Sequence, residues 1–172
     1  MMGFGSIIAA MISVATILLA SYVCSKGGFY MADGLSNSVV EMQENRNEIL
    51  KTEIEITGVS IDKADILVSL QNTGSIKIED FTYMDVIVAY QDKAGTMKTA
   101  WIPYQKGEVL FENRWTKLDI VPDLINPGVF DPGEEMKLQI RLNASDPPEN
   151  SSINWLLVTV PNGVKASRYF KG

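Results

Sequence analysis

The side chains best placed to do chemistry are three pairs of carboxylates: Glu79 with Asp80, Glu134 with Glu135, and Asp119 with Asp123. Such pairs can share a proton or hold a divalent cation. Both uses need partners this chain does not supply. It has no histidine, which removes the usual general base near neutral pH and the commonest metal ligand. Its one cysteine, Cys24, can close no internal disulfide and makes no zinc site alone. No serine has a histidine to activate it. No glycine-rich phosphate loop ends in Lys-Ser or Lys-Thr, and the acidic spacing is not that of a calcium loop. The carboxylates are read as solvated loop ends. The expectation is a non-enzyme with no metal and no cofactor. A net charge of −6 also argues against nucleic acid.

Two other patterns remain. Asn143-Ala144-Ser145 and Asn150-Ser151-Ser152 are acceptor sequons, which makes Asn143 and Asn150 glycosylation candidates. Both lie in one loop beside Pro147-Pro148, which suits an extracytoplasmic domain. The tract containing Trp101, Tyr104, Phe111 and Trp115 is core and loop packing on the plainer reading. On the sharper reading it is a partner surface, because aromatics anchor interfaces.

These residues need something to position them. From Met1 to Ser25 no side chain is charged. The stretch is long enough to cross a bilayer core, with Phe4, Ile7, Ile8, Met11, Ile17, Leu18 and Leu19 facing lipid. Residues 1–26 are therefore read as a transmembrane anchor. A secretory signal would show a basic start and a shorter apolar core. Lys26 alone follows the span, so the charge rule gives only a faint preference for a cytoplasmic C-terminus. Residues 27–51 read as a linker loosened by Gly27, Gly28 and Gly34, then an amphipathic helix. Leu35, Val39, Met42 and Ile49 make a heptad-like stripe on it. A stalk is the plainer reading of that stripe, and a short coiled coil in a homodimer the sharper one.

From Thr52 the hydrophobic period becomes two. Ile66, Val68 and Leu70 share a face, as do Met84, Val86, Val88 and Tyr90. Met136 to Leu142 alternates cleanly, and Trp155 to Val160 is apolar on both faces, as in a central strand. Weaker strands fall near 97–102 and 115–120. Asn72-Thr73-Gly74, Asp131-Pro132-Gly133 and Pro161-Asn162-Gly163 supply turns. Seven to eight short strands over residues 52–172 predict an all-β sandwich, immunoglobulin-like but without its disulfide.

Several stretches together resemble one family. They are Met2-Gly3-Phe4-Gly5-Ser6-Ile7-Ile8 running into the span, Ile66 to Gly74, Pro132-Gly133-Glu134, and Val158 to Val164. The chain resembles the FlaF family of archaellum (archaeal flagellum) accessory proteins, within the archaeal flagellin-like superfamily. The resemblance implies a membrane-anchored stator part whose sandwich lies in the pseudoperiplasm. It would bind the surface-layer (S-layer) protein and work with the sister protein FlaG and other archaellum components. It also sets aside the faint charge preference. Archaellins and FlaG share the architecture and are the alternatives. Archaellins carry a short basic leader before a glycine, and no Lys or Arg precedes Gly3 here. A membrane-tethered solute- or polysaccharide-binding module is a third class, and it would need a pocket with convergent polar groups.

Overall fold

The computed structural model describes residues 3–107, 109–149 and 151–172. The chain divides into two compact units, one ending at Arg46 and the other running Asn47–Gly172.

A single helix, α1, runs Gly3–Lys51. At 1.5 Å per residue its 49 residues extend about 74 Å. The linker and second helix expected over 27–51 are not separate elements. Gly27, Gly28 and Gly34 lie inside α1; a glycine costs a helix interior only about 1 kcal/mol. Among the described residues α1 is the one helix long and apolar enough to span a membrane. The seven anchor residues, Phe4, Ile7, Ile8, Met11, Ile17, Leu18 and Leu19, lie on α1.

The second unit is a sandwich of two four-stranded antiparallel sheets. Its strands are β1 (Ile54–Asp62), β2 (Asp65–Asn72), β3 (Asp85–Gln91), β4 (Met97–Ile102), β5 (Arg114–Val121), β6 (Glu135–Arg141), β7 (Asn154–Thr159) and β8 (Lys165–Phe170). One sheet has the order β1-β2-β6-β5 and the other β4-β3-β7-β8. That is the immunoglobulin-like arrangement, in which successive strand pairs alternate between the two sheets. Alternation places Ile66, Val68, Leu70, Met136, Leu138 and Ile140 of one sheet, and Val86, Val88, Leu156 and Val158 of the other, in a common core.

The two lateral openings of the sandwich are closed differently. On the β1–β8 side, Arg168 Nη1 donates to the carbonyls of Ile56 (2.6 Å) and Thr57 (2.9 Å). This occupies acceptors of edge strand β1 near its bulge at Ile56/Gly58. On the β4–β5 side, the segment after β4 pairs with the start of β5: Gln105 N–H donates to Trp115 O (2.8 Å) and Trp115 N–H to Pro103 O (3.1 Å).

Candidate functional site

Two features of the second unit could serve a function without bond chemistry. The first surrounds the last turn of α1. A helix end leaves carbonyls without partners, and here the sandwich supplies them. Ser75 N–H donates to Lys51 O (2.7 Å), and the N–H groups of Thr73 and Gly74 both donate to Glu53 O (3.0 and 2.9 Å). Thr52 Oγ1 donates to Glu48 O (2.8 Å) and accepts from Asn162 Nδ2 (2.7 Å). Behind this layer stands Asn72, fully buried, whose Nδ2 donates to Ile76 O (2.8 Å) and Phe130 O (3.0 Å). Gly133 N–H in turn donates to Asn72 O (2.8 Å). Asn72-Thr73-Gly74 and Pro161-Asn162-Gly163 thus meet residues 51–53 directly, and Pro132-Gly133-Glu134 backs them through Asn72.

Gly74 is the tightest point. A Cβ there would lie 2.4 Å from Glu53 N and 2.6 Å from Lys51 O, inside backbone van der Waals contact. Its φ is not positive, so the requirement for glycine is one of space and not of backbone conformation. Gly163, by contrast, sits at φ 87° in the β7–β8 turn, a conformation L side chains resist.

The second feature is a difference between the outer faces of the two sheets. On β1-β2-β6-β5 the outward rows pair Gln71 with Glu135, Ser69 with Lys137, Leu67 with Gln139, and Asp65 with Arg141, with Leu67 and Leu118 exposed among them. Their side chains bond one another: Ser69 Oγ donates to Glu135 (3.1 Å), and Arg141 forks onto Asp65 through Nε and Nη2, both 2.8 Å. That guanidinium holds the Asp65 carboxyl below the usual carboxylate range. On β4-β3-β7-β8 the two middle outward rows are Trp101–Ile87–Leu157–Ser167 and Thr99–Ala89–Trp155–Tyr169, flanked by Asp85–Thr159–Lys165 on one side and Gln91–Met97 on the other. None of the eight residues in the two middle rows is charged. Trp101 is 61% and Tyr169 73% exposed, with Met97 beside them at 62%. Trp101 Nε1 donates to Asp85 Oδ1 (2.9 Å), which fixes the indole at the margin of the face. The middle of this face is thus an uncharged strip carrying Trp101, Trp155 and Tyr169, whereas three of the four β2–β6 rows on the other face carry a charge.

The four aromatics expected to form a partner surface do not lie together. Trp101 belongs to this sheet face, and Phe111 is exposed on the loop before β5. Trp115 is fully buried, because its place on β5 points between the sheets. Tyr104 is half-buried against it, with ring centroids 4.7 Å apart. Trp155 and Tyr169 take their place beside Trp101. The signal for Trp155 was the strand apolar on both faces, which marks a β7 with a core on one side and a further apolar surface on the other.

The carboxylates need one correction. Glu134 is not a solvated loop end: it is buried, and its Oε2 accepts from Asp131 N–H (2.9 Å) to close the turn before β6. Asp80 caps a short helical turn through Thr82 N–H, and Asp123 accepts from Gly128 N–H. Among the described residues no group of three or more acidic, cysteine or histidine side chains could hold a metal. Asn143 lies in the loop after β6, while Asn150 falls outside the described residues.

No protein-family model matches the sequence. An uncharacterized protein of Archaeoglobus fulgidus is 32% identical over 171 residues, covering 98% of this chain and 96% of that one. The chain belongs to that protein's family. Among solved structures, the archaellum periplasmic stator protein FlaG from Sulfolobus acidocaldarius has a TM-score of 0.50 at 20% identity, covering 69% of this chain and 99% of that one. A chain of the FlaF–FlaG stator complex from the same organism gives 0.50 at 19%, covering 69% and 89%. A chain of the archaeal flagellum of Methanospirillum hungatei gives 0.54 at 15%, covering 98% and 92%. At these identities the likeness shows a shared fold: an apolar N-terminal helix and a β-sandwich in the filament, and the sandwich in the stator proteins. These neighbours are structural archaellum proteins and not enzymes.

Proposed function

We propose that this chain is a membrane-anchored structural component of the archaellum, of the stator type. The apolar part of α1 holds it in the cell membrane as a single pass. The sandwich stands in the pseudoperiplasmic space and grips the S-layer protein, alongside FlaG. No bond is made or broken; the part resists force. The observation that carries this reading is the uncharged aromatic strip in the middle of the β4-β3-β7-β8 face, a gripping surface on a sandwich whose last helical turn is tied into it by backbone hydrogen bonds. Force arriving at residue 47 is passed to two β-sheets through the bonds at residues 51–53 and 73–75, not through a slack linker.

A filament subunit is the second reading, favoured by the flagellum chain that matches helix and sandwich together. Full-length protein in mild detergent, used to capture S-layer protein from envelope fractions, separates the two. Capture that Trp101→Asp weakens tenfold or more is expected of the stator, since an aromatic anchor buried by a partner is worth about 2 kcal/mol or more. No capture, with the chain recovered intact in sheared filaments, would replace the stator with the subunit.

A further inference from the structure

We propose that Asn143 carries an N-linked glycan, and that this glycan covers the cleft at the end of the sandwich opposite the helix terminus. The inference is independent of the stator reading and needs only that the sandwich faces a compartment where such glycans are attached.

The loop after β6 is built to present this one residue. The β6 ladder ends at Arg141 on both sides. Leu142, fully buried and with its N–H on Ala64 O (2.9 Å), stakes the chain to the core. The next residue is Asn143, itself half-buried, and Ala144 and Ser145 after it are exposed. The side-chain oxygens of the sequon are bonded to one another. Asn143 Oδ1 accepts from both Ser145 N–H (2.9 Å) and Ser145 Oγ (2.7 Å). Ala144 N–H donates to Glu112 Oε1 (3.1 Å), and Asp146 N–H to Asn143 O (3.0 Å). Asn143 Nδ2, the atom a glycan would occupy, makes no hydrogen bond among the described residues. Replacing one of its hydrogens by a sugar breaks nothing in the fold.

Beside it lies a cleft of about 800 Å³ between the β1–β2 hairpin and the 142–149 loop. Leu142 and Ala144, the two neighbours of Asn143, both line it, with Lys63, Lys93 and Glu149 around the rim. Ammonium donors and carboxylate acceptors of this kind hydrogen-bond sugar hydroxyls. Asn143 does not itself line the cleft, so the first sugars extend over the rim from the position between Leu142 and Ala144. The transfer balances with one co-reactant, a lipid-phosphate-linked oligosaccharide. Nδ2 bonds to the anomeric carbon, the carbon–oxygen bond to phosphate breaks, the lipid phosphate leaves with the electron pair, and Nδ2 gives up a proton.

The test is the intact mass of the full chain purified from its native cells, with the accessibility of the cleft measured beside it. The expected result is a mass above that of the polypeptide. Asn143→Gln and Ser145→Ala should each abolish the excess, and Ser145→Thr should keep it. Two amide or hydroxyl variants are used so that poor accumulation of one leaves the other. In the glycan-free variants an amine-reactive probe should label Lys63 and Lys93 severalfold faster, with Lys165 at the other end unchanged. A mass equal to the polypeptide, or an excess removed only by Asn150→Gln, would overturn the site. Loss of the glycan without faster labelling of Lys63 and Lys93 would overturn its role as a cover.

Discussion

Gly74→Ala should damage this protein far more than a change of one methyl usually does. The added Cβ would lie 2.4 Å from Glu53 N and 2.6 Å from Lys51 O, both main-chain atoms with no rotamer to give way. Reaching an ordinary contact of about 3.4 Å moves the 73–75 turn back by about 1 Å. That shift breaks three hydrogen bonds now 2.7 to 3.0 Å long: Ser75 N–H to Lys51 O, and Thr73 and Gly74 N–H to Glu53 O. At a net contribution of about 1 kcal/mol each, the loss is about 3 kcal/mol. For a unit of this size it corresponds to a fall in Tm of about 12 °C. Thermal unfolding of the full chain in detergent, followed by near-ultraviolet circular dichroism, reads the sandwich through its buried Trp115. Gly58→Ala is the control, because its Cβ would meet Ser69 only at 3.7 Å. The reasoning fails if Gly74→Ala melts with the wild type while Gly58→Ala melts lower.

Asn162→Ala removes one bond of the same junction, from Nδ2 to Thr52 Oγ1, and should cost about 1 kcal/mol by denaturant titration. Trp115→Phe should cost less than Leu138→Ala, because the buried indole N–H of Trp115 has no partner among the described residues and its removal relieves a desolvated donor. Asp65 has a lowered pKa, so its pairing with Arg141 contributes fully above the unfolded carboxylate value of about 3.9 and is lost as pH falls below it. Tm of the wild type should therefore drop more steeply below about pH 4 than Tm of Asp65→Asn. Leu18→Arg should release the chain from membranes in alkaline carbonate, since a charge at mid-span costs about 3 kcal/mol.

Much of the fold was legible because local rules and tertiary structure agreed. Met136 to Leu142 alternates as a strand with one buried side, and β6 is that strand. The apolar segment from Phe4 to Cys24 has one physical use as a helix, and α1 contains it. The sequence misled where a residue has two good environments. Gly27, Gly28 and Gly34 can break a helix or merely weaken it, and α1 runs through them. Trp115 and Trp101 look alike in composition, but the register of β5 turns one inward and that of β4 turns the other outward. Glu134 resembles a surface acid until the turn at 131–134 closes over it. The helix-terminal junction was invisible because its parts, at 51–53, 72–75 and 160–163, meet only through the Greek-key crossing of strands. Each of those turn motifs was found, and none announced its shared partner.

The central claim is that the aromatic face of β4-β3-β7-β8 grips the S-layer while α1 stays in the membrane. The most direct test places a photo-crosslinking side chain at Thr99, on that face, and irradiates living cells. The account expects a covalent adduct with the S-layer protein, absent when the same group replaces Lys137 on the opposite sheet. Adducts with filament subunits instead, recovered in sheared archaella, would contradict it.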